Sequence, residues 1–230
     1  MKKKVAVLTG AGVSAESGLK TFRDSNGLWE EYHVEDVATI DGWLRDPELV
    51  IEFYNKRRSQ LETALPNEAH KALARLEEKF DVSIITQNVD DLHERAGSSN
   101  ILHLHGELTK VRSEDYPELI YTIGYKDIKI GDKCDKGCQL RPHIVWFGEA
   151  VPLIEEASQI VSEADYLLII GTSLQVYPAA GLIHYAKQGC RKYLVDPNAA
   201  YYNNDINVMK ESAGKAVPEL VEKLLQEVSA

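Results

Sequence analysis

The sequence predicts an α/β fold built on a parallel sheet, and three observations carry that prediction. Four short apolar runs, residues 5–8, 82–85, 166–170 and 193–195, have the length of buried strands, and each ends in small or polar residues. Stretches with helical spacing lie between them, the alternation expected of strands joined by crossover helices. A glycine-rich turn, Gly10-Ala-Gly-Val-Ser-Ala15, follows the first run, where a strand would hand over to a helix.

Taken in order, the first run follows Met-Lys-Lys-Lys, charged like the start of a secretion signal, but it stops after four residues at Thr9-Gly10. No secretion signal is expected. The turn after it fits the dinucleotide fingerprint G-x-G-x-x-G/A, with Ala15 in the third place. Glycines there let backbone amides approach a pyrophosphate at a helix N-terminus. The same turn also fits a tight strand-to-helix connection with no ligand. A dehydrogenase would continue into a second strand ending in an acid about 20 residues on. Here residues 17–24 run instead into a polar loop, and the candidate ribose acid is Asp196, after the run at 193–195, the last strand expected. Residues 30–66 and 107–143 break the rhythm and are read as two insertions that together form a small second domain. Within the first, residues 49–61 have helical spacing. A helix is expected after Asn67, which can cap it, with Ala69, Leu73 and Leu76 on one face. Residues 101–106 give a fifth candidate strand whose two-residue alternation places His103 and His105 on one side. The tail from 217 to 228 reads as an amphipathic helix with Leu220, Leu224 and Leu225 on its stripe. In such sheets ligands sit beyond the carboxyl ends of the strands. The informative residues are therefore 10–18, 86–91, 171–177 and 196–198.

Composition narrows the function. The chain has 230 residues, 44% of them hydrophobic, enough for one large domain or a main domain with an insert. Thirty-six acidic against 26 basic residues give a net charge of -10, which excludes sequence-blind nucleic-acid binding and favours basic peptides as partners. Cys134, Cys138 and Cys190 are the only cysteines, too few and odd in number for a disulfide framework. No apolar stretch approaches the roughly 20 residues that cross a bilayer. A cytoplasmic protein without membrane attachment is expected.

Several segments, spread from one end of the chain to the other, carry a more specific message. They are Gly10-Ala-Gly-Val-Ser-Ala-Glu-Ser-Gly-Leu-Lys-Thr-Phe-Arg23, Pro66-Asn-Glu-Ala-His70, Thr86-Gln-Asn-Val-Asp-Asp-Leu-His-Glu-Arg-Ala-Gly97, Leu104-His-Gly106, Val145-Trp-Phe-Gly-Glu149 and Gly171-Thr-Ser173. In these the chain resembles the sirtuins, NAD-dependent lysine deacylases, and especially their bacterial CobB-like members. The resemblance implies a Rossmann-like large domain (1–29, 67–106 and 144–230), a small inserted domain (30–66 and 107–143), and a cleft between them where NAD and an acyl-lysine meet. NAD is consumed there: the acyl oxygen attacks the nicotinamide ribose, nicotinamide leaves, and the acyl group ends on ADP-ribose.

By this resemblance His105 is the base that deprotonates a ribose hydroxyl, a task suited to a histidine with an ordinary pKa near 6.5. Asn88 and Asp90 join it as catalytic residues. With Gln87 they offer amides and a carboxylate to nicotinamide and its ribose, although each is also a turn-former after a strand. The remaining NAD contacts fall on Gly10, Ala11, Gly12 and Ser14 of the glycine turn, Phe22 and Arg23 of the loop over the ribose, Gly171, Thr172 and Ser173, and Asp196 and Ala216. The substrate backbone would add as a strand between Val145, Trp146, Phe147 and Gly148 on one side and Leu174, Val176 and Tyr177 on the other. His103 is read as structural, as are His33, His70, His93, His143 and His184.

The acyl group is addressed by Tyr54 and Arg57, three residues apart on one helical face. Lys56 has Glu52 as a local partner and Arg58 has Glu62, so both are expected in solvent. The neighbours of Arg57 at three and four residues are Phe53, Tyr54, Gln60 and Leu61, none of them acidic. A guanidinium offers a planar fork to a carboxylate, and a tyrosine hydroxyl adds a further bond. The Tyr-x-x-Arg pair resembles that of sirtuins acting on succinyl- and malonyl-lysine, and Ala15 would leave room for the longer chain. A distant acid pairing with Arg57 is the alternative. Sirtuins usually carry a structural zinc on two cysteine pairs, but only Cys134 and Cys138 remain here, with Arg112-Ser113 where the first pair is expected. A degenerate ribbon without metal is expected. Two other functions fit parts of the pattern: an NAD or ADP-ribose sensor without turnover, against which His105 and Asn88 count, and a plain deacetylase, if Arg57 is locked in an ion pair.

Overall fold

The structure, a computed structural model, describes residues 2–19, 28–29, 32–199 and 205–229. In chain order its strands are β1 (Lys4–Thr9), β2 (Leu28–Trp29), β3 (Tyr32–His33), β4 (Asp81–Thr86), β5 (Ile101–His103), β6 (Gly106–Ser113), β7 (Ile120–Thr122), β8 (Leu140–Ile144), β9 (Tyr166–Ile170), β10 (Arg191–Val195) and β11 (Ile206–Met209). The α-helices are α1 (Val34–Val37), α2 (Ile40–Arg45), α3 (Pro47–Thr63), α4 (Glu68–Leu76), α5 (Leu92–Ala96), α6 (Ile154–Glu163) and α7 (Ala213–Ser229).

The central sheet runs β11-β10-β9-β1-β4-β5, and every neighbouring pair is parallel. The α/β expectation is met, in Rossmann order. The two-residue period of the strands builds both layers. Val5 and Val7 of β1, with Tyr166, Leu168 and Ile170 of β9, pack against α4 and α7. Ala6 and Leu8, with Leu167 and Ile169, face the opposite layer, where Ala157 and Val161 of α6 lie. The chain lays down β1, β4 and β5 toward one edge, then returns beside β1 to lay down β9, β10 and β11 toward the other. That reversal makes the crevice between the ends of β1 and β9 the place where a ligand fits.

A second apolar cluster joins Val50, Phe53, Tyr54 and Leu61 of α3 to Leu108 and Val111 of β6, Ile144 and Trp146. Here β7-β6-β8 form a separate antiparallel sheet. Asp46 caps α3 by accepting from Leu49 N–H at 3.0 Å, and Pro47 follows it at the helix start. Asn67 caps α4 as expected, accepting from Ala69 N–H at 3.0 Å, while His70 Nδ1 accepts from Asn67 N–H at 3.3 Å.

Three expectations need correction. The strand at 193–195 is not the last: β11 pairs beyond it at the sheet edge, where one side is open to solvent and a continuous apolar run is unnecessary. The closing helix begins at Ala213, before Pro218, and winds over the end of the core. The glycine turn opens no α-helix. It forms two single 3-10 turns, Ala11–Val13 and Ala15–Ser17, because its groups are committed elsewhere: Gly12 N–H donates to Gly171 O at 2.9 Å, and the Ser14 hydroxyl donates to Asp90 Oδ2 at 3.0 Å. Among the described residues no helix is long and apolar enough to cross a membrane.

Candidate active site

Backbone packing forms the floor of the crevice between β1 and β9. Gly10 N–H donates to Ile170 O at 3.0 Å, and Gly171 N–H to Val195 O at 2.8 Å. Gly171 adopts φ +62°, and a Cβ there would lie 2.3 Å from Val13 N. Only glycine satisfies both the left-handed backbone and the contact. Gln87 Nε2 reaches across to Thr172 Oγ1 at 3.3 Å, tying the end of β4 to the end of β9.

Beyond β4 the chain turns on its own side chains. Thr86 Oγ1 accepts from Asn88 N–H at 3.0 Å, and Asp90 Oδ1 accepts from Leu92 N–H at 3.2 Å. Asn88 Nδ2 donates to Ser14 Oγ at 3.1 Å, so Ser14, Asn88 and Asp90 form one buried network. Burial pushes the Asp90 carboxyl up, opposed by the Leu92 amide, the Ser14 hydroxyl and the charge of His103. His70 borders this network, its Nε2 3.5 Å from Ser14 Oγ, and burial lowers its pKa to about 4.

His105 follows β5, with Nδ1 3.0 Å from Gln87 O. The carbonyl selects the Nδ1–H tautomer and leaves the lone pair on Nε2. Burial holds its pKa below the ordinary value, and the Gln87 carbonyl opposes that shift. Gly106 then reverses the chain at φ +81°, where a Cβ would stand 2.0 Å from His143 O. His105 is tied there to the segment after β8, since Val145 N–H donates to His105 O at 2.9 Å.

The facing wall comes from α3 and the segment after β8. Tyr54 is buried, and its hydroxyl accepts from Trp146 Nε1–H at 2.9 Å. Arg57, only 7% exposed, lies one helical turn on, with its guanidinium carbon 5.8 Å from the Phe53 ring centre. Trp146 is held from behind. Glu149 Oε2 accepts its N–H at 2.7 Å, Arg141 stacks 3.7 Å from its ring centre and donates to Glu149, and Arg112 pairs with the same carboxylate at 2.9 Å. Lys56 pairs with Glu52 at 2.8 Å as expected. Arg58 does not enter solvent. It is fully buried, donates Nε–H to Leu108 O at 2.8 Å, and is lowered to about 10 by burial, because its face of α3 packs on β6.

These walls enclose a cavity of about 250 Å³. Gly10, Ala11, Ser14, Gln87, Asn88, Asp90, His105, Gly171 and Thr172 line it from the sheet side. Tyr54, Arg57, Val145, Trp146, Phe147, Gly148, Val176 and Tyr177 line it from the other. Gly12 stands behind the wall against Gly171, and Ala216 is packed in the core within α7. Ala15 opens the second 3-10 turn and faces solvent, off the wall, because the chain changes course at Ser14. Leu174 and Ser173 are also outside the lining, and Leu174 carries φ +54°. Asp196, buried beyond β10, accepts from Asn198 N–H at 2.8 Å. Phe22 and Arg23 lie outside the described residues. Lining residues not anticipated as site residues include Leu19, Ala38, Val89 and Glu149. Glu149 had a signal, the motif beginning at Val145; Arg141 had none.

The cysteine end of the small sheet does not fit a zinc ion. The Cys134 thiol bonds to Ser113 and Cys138, and Asp115 pushes the Cys138 thiol up to about 11. Among the described residues neither cysteine joins two further histidine, cysteine or carboxylate ligands into a group able to hold a metal. A tetrahedral site needs four ligands.

A Rossmann-order sheet with a glycine-lined crevice, opposed by a second apolar unit carrying an arginine and a tyrosine, defines a nucleotide-dependent enzyme fold of the sirtuin type. The chain belongs to the Sir2 family, whose sequence pattern matches residues 10–178. It is 54% identical over 229 residues to a protein of Helicobacter pylori called NAD-dependent protein deacylase, covering 99% of this chain and 100% of that one. A protein of the same name from Bacteroides thetaiotaomicron is 55% identical over 230 residues, covering 97% and 98%. A solved Sir2 homologue in complex with NAD superposes with a TM-score of 0.86 at 40% identity, covering 99% of this chain and 91% of that one.

Proposed function

We propose that this Sir2-family chain is a NAD-dependent protein-lysine deacylase whose cavity takes succinyl and malonyl groups as well as acetyl, releasing nicotinamide and O-acyl-ADP-ribose. One observation carries the acyl assignment: Tyr54 and Arg57 line the same cavity as Asn88, Asp90 and His105. NAD supplies the electrophilic sugar carbon and leaves as nicotinamide and acylated ADP-ribose. The chain's own groups do the rest. Asn88 and Asp90, fixed through Ser14, orient nicotinamide and ribose. His105 takes a ribose proton at Nε2. Arg57 pairs with the distal carboxylate of an acidic acyl group in a low-dielectric pocket, where such a pair is strong, and the Tyr54 hydroxyl, already accepting from Trp146, donates to it. Val145 to Gly148 and Val176 to Tyr177 receive the peptide main chain, so sequence preference is loose. The partners are acylated proteins, and with three free cysteines the cytoplasm is the matching compartment.

Steady-state rates on acetyl-, malonyl- and succinyl-lysine peptides test this reading. Arg57→Met should lower kcat/KM for succinyl- and malonyl-peptides by roughly 10²-fold, the value of a charge-assisted pair, and leave the acetyl-peptide within a few-fold. Equal effects on all three, or an acetyl preference untouched by the substitution, would remove the acyl assignment.

A further inference from the structure

Two histidines, two residues apart, grip successive carbonyls of one turn. His105 Nδ1 lies 3.0 Å from Gln87 O, and His103 Nδ1 lies 3.2 Å from Asn88 O. They differ in what the other ring nitrogen meets. His103 Nε2 faces Glu94 Oε1 at 2.7 Å. Both neighbours of the His103 ring, a carbonyl and a carboxylate, are acceptors. A neutral imidazole has one N–H and would turn a lone pair toward one of them. Only an imidazolium satisfies both.

The surroundings supply the charge this requires. Glu94 comes from α5, Glu107 from β6, and Asp90 from the turn after β4. Of the two positive groups on β6, Lys110 pairs with Glu107 at 2.5 Å and Arg112 with Glu149 at 2.9 Å. His93, packed nearby, is held neutral by burial. A carboxylate oxygen from each of Glu94 and Glu107 and a ring nitrogen of His103 lie within 4.8 Å of one another, and the Nε2 proton and Lys110 provide the positive charge that such a cluster needs. Burial opposes the charge on His103, but the hydrogen bond and charge of Glu94, with Glu107 and the Asn88 carbonyl, leave its pKa above the ordinary value.

We propose that His103 is a positioning residue for the reaction: as an imidazolium bridging Glu94 and the Asn88 carbonyl, it holds the turn that carries Gln87, Asn88 and Asp90. This rests on the reading of His105, Asn88 and Asp90 as the machinery. When His103 loses its proton, the Nε2 lone pair confronts the Glu94 carboxylate, the bridge opens, and turnover falls on the alkaline side. Glutamine in place of Glu94 can offer an amide N–H to that lone pair, so the bridge survives deprotonation.

The test combines histidine-ring nitrogen NMR with the pH dependence of kcat. In the wild-type protein both ring nitrogens of His103 should carry protons near neutral pH, and kcat should decline on the alkaline side as that signal titrates. Glu94→Gln should move the alkaline decline by roughly tenfold or more in proton concentration, or abolish it, while Glu94→Ala lowers kcat about tenfold with KM for NAD little changed. A His103 ring that is neutral near neutral pH, or an alkaline decline unmoved in Glu94→Gln, overturns the proposal. Glu94 is partly exposed, which keeps both variants foldable. Failure of the site reading would look different: His105→Ala would then sustain turnover, whatever the state of the His103 ring.

Discussion

His105 and His103 are the same residue type on the same strand end, and their partners set them to opposite tasks. His105 meets one carbonyl and is buried, so its pKa sits below the ordinary value of about 6.5 and the neutral base persists into mild acid. The sign follows directly: a base with a depressed pKa loses activity only when pH falls through that lower value. We expect the acid limb of kcat/KM for the deacylation to have its midpoint below about 6.5, and His105→Ala to reduce turnover by about 10²-fold or more. A midpoint above that value would show that another group limits the acid side. Arg57 and Arg58 make the same point in sequence. Adjacent on α3, one lines the cavity and the other is buried against β6, a difference that local charge spacing does not reveal because the partners of Arg58 are uncharged, the Asn55 amide oxygen and a backbone carbonyl 50 residues away.

At the scale of elements, the runs that became β1, β4, β9 and β10 were legible because strands buried on both faces need continuous apolar residues. The edge strand β11 was not legible, since Ile206-Asn-Val-Met209 lies half in solvent. The glycine turn was legible as a site and misleading as structure. Its spacing suggests a helix, but Gly12 and Ser14 spend their groups on Gly171 and Asp90, contacts more than 70 residues distant in sequence. Gly106 is the joint on which the site depends most. It reverses the chain directly after His105, in a left-handed conformation and against the His143 carbonyl. Gly106→Ala should destabilise the protein by ~2–4 kcal/mol, from backbone strain and overpacking together, and should lower kcat further by shifting His105. Denaturant unfolding checks the first, and a melting midpoint equal to the wild type would mean that the β5–β6 joint is looser than described.

Across the whole molecule, the site exists because two apolar clusters are built from interleaved segments. The sheet supplies the glycines and the Gln87-Asn88-Val89-Asp90 turn, while α3 and the segment after β8 supply Tyr54, Arg57 and Trp146. Sequence motifs named most of these residues, since the chemistry requires particular side chains at strand ends. They could not name the supports. Arg141 and Arg112 hold Trp146 from behind through Glu149, and Glu94 holds His103; the two acids lie inside the sequence motifs, but these contacts leave no periodic trace. The cysteine end of β6 shows the same economy: Ser113 and Asp115 engage the thiols of Cys134 and Cys138, and the small sheet keeps its ladder and its apolar core without a fitting zinc ligand set among the described residues. The most direct test of the account is a mass balance on the products formed from NAD and a succinyl-lysine peptide. The account predicts free lysine peptide, nicotinamide and O-succinyl-ADP-ribose in equal amounts. Free succinate appearing without nicotinamide, or nicotinamide released without any loss of the succinyl group, would contradict it.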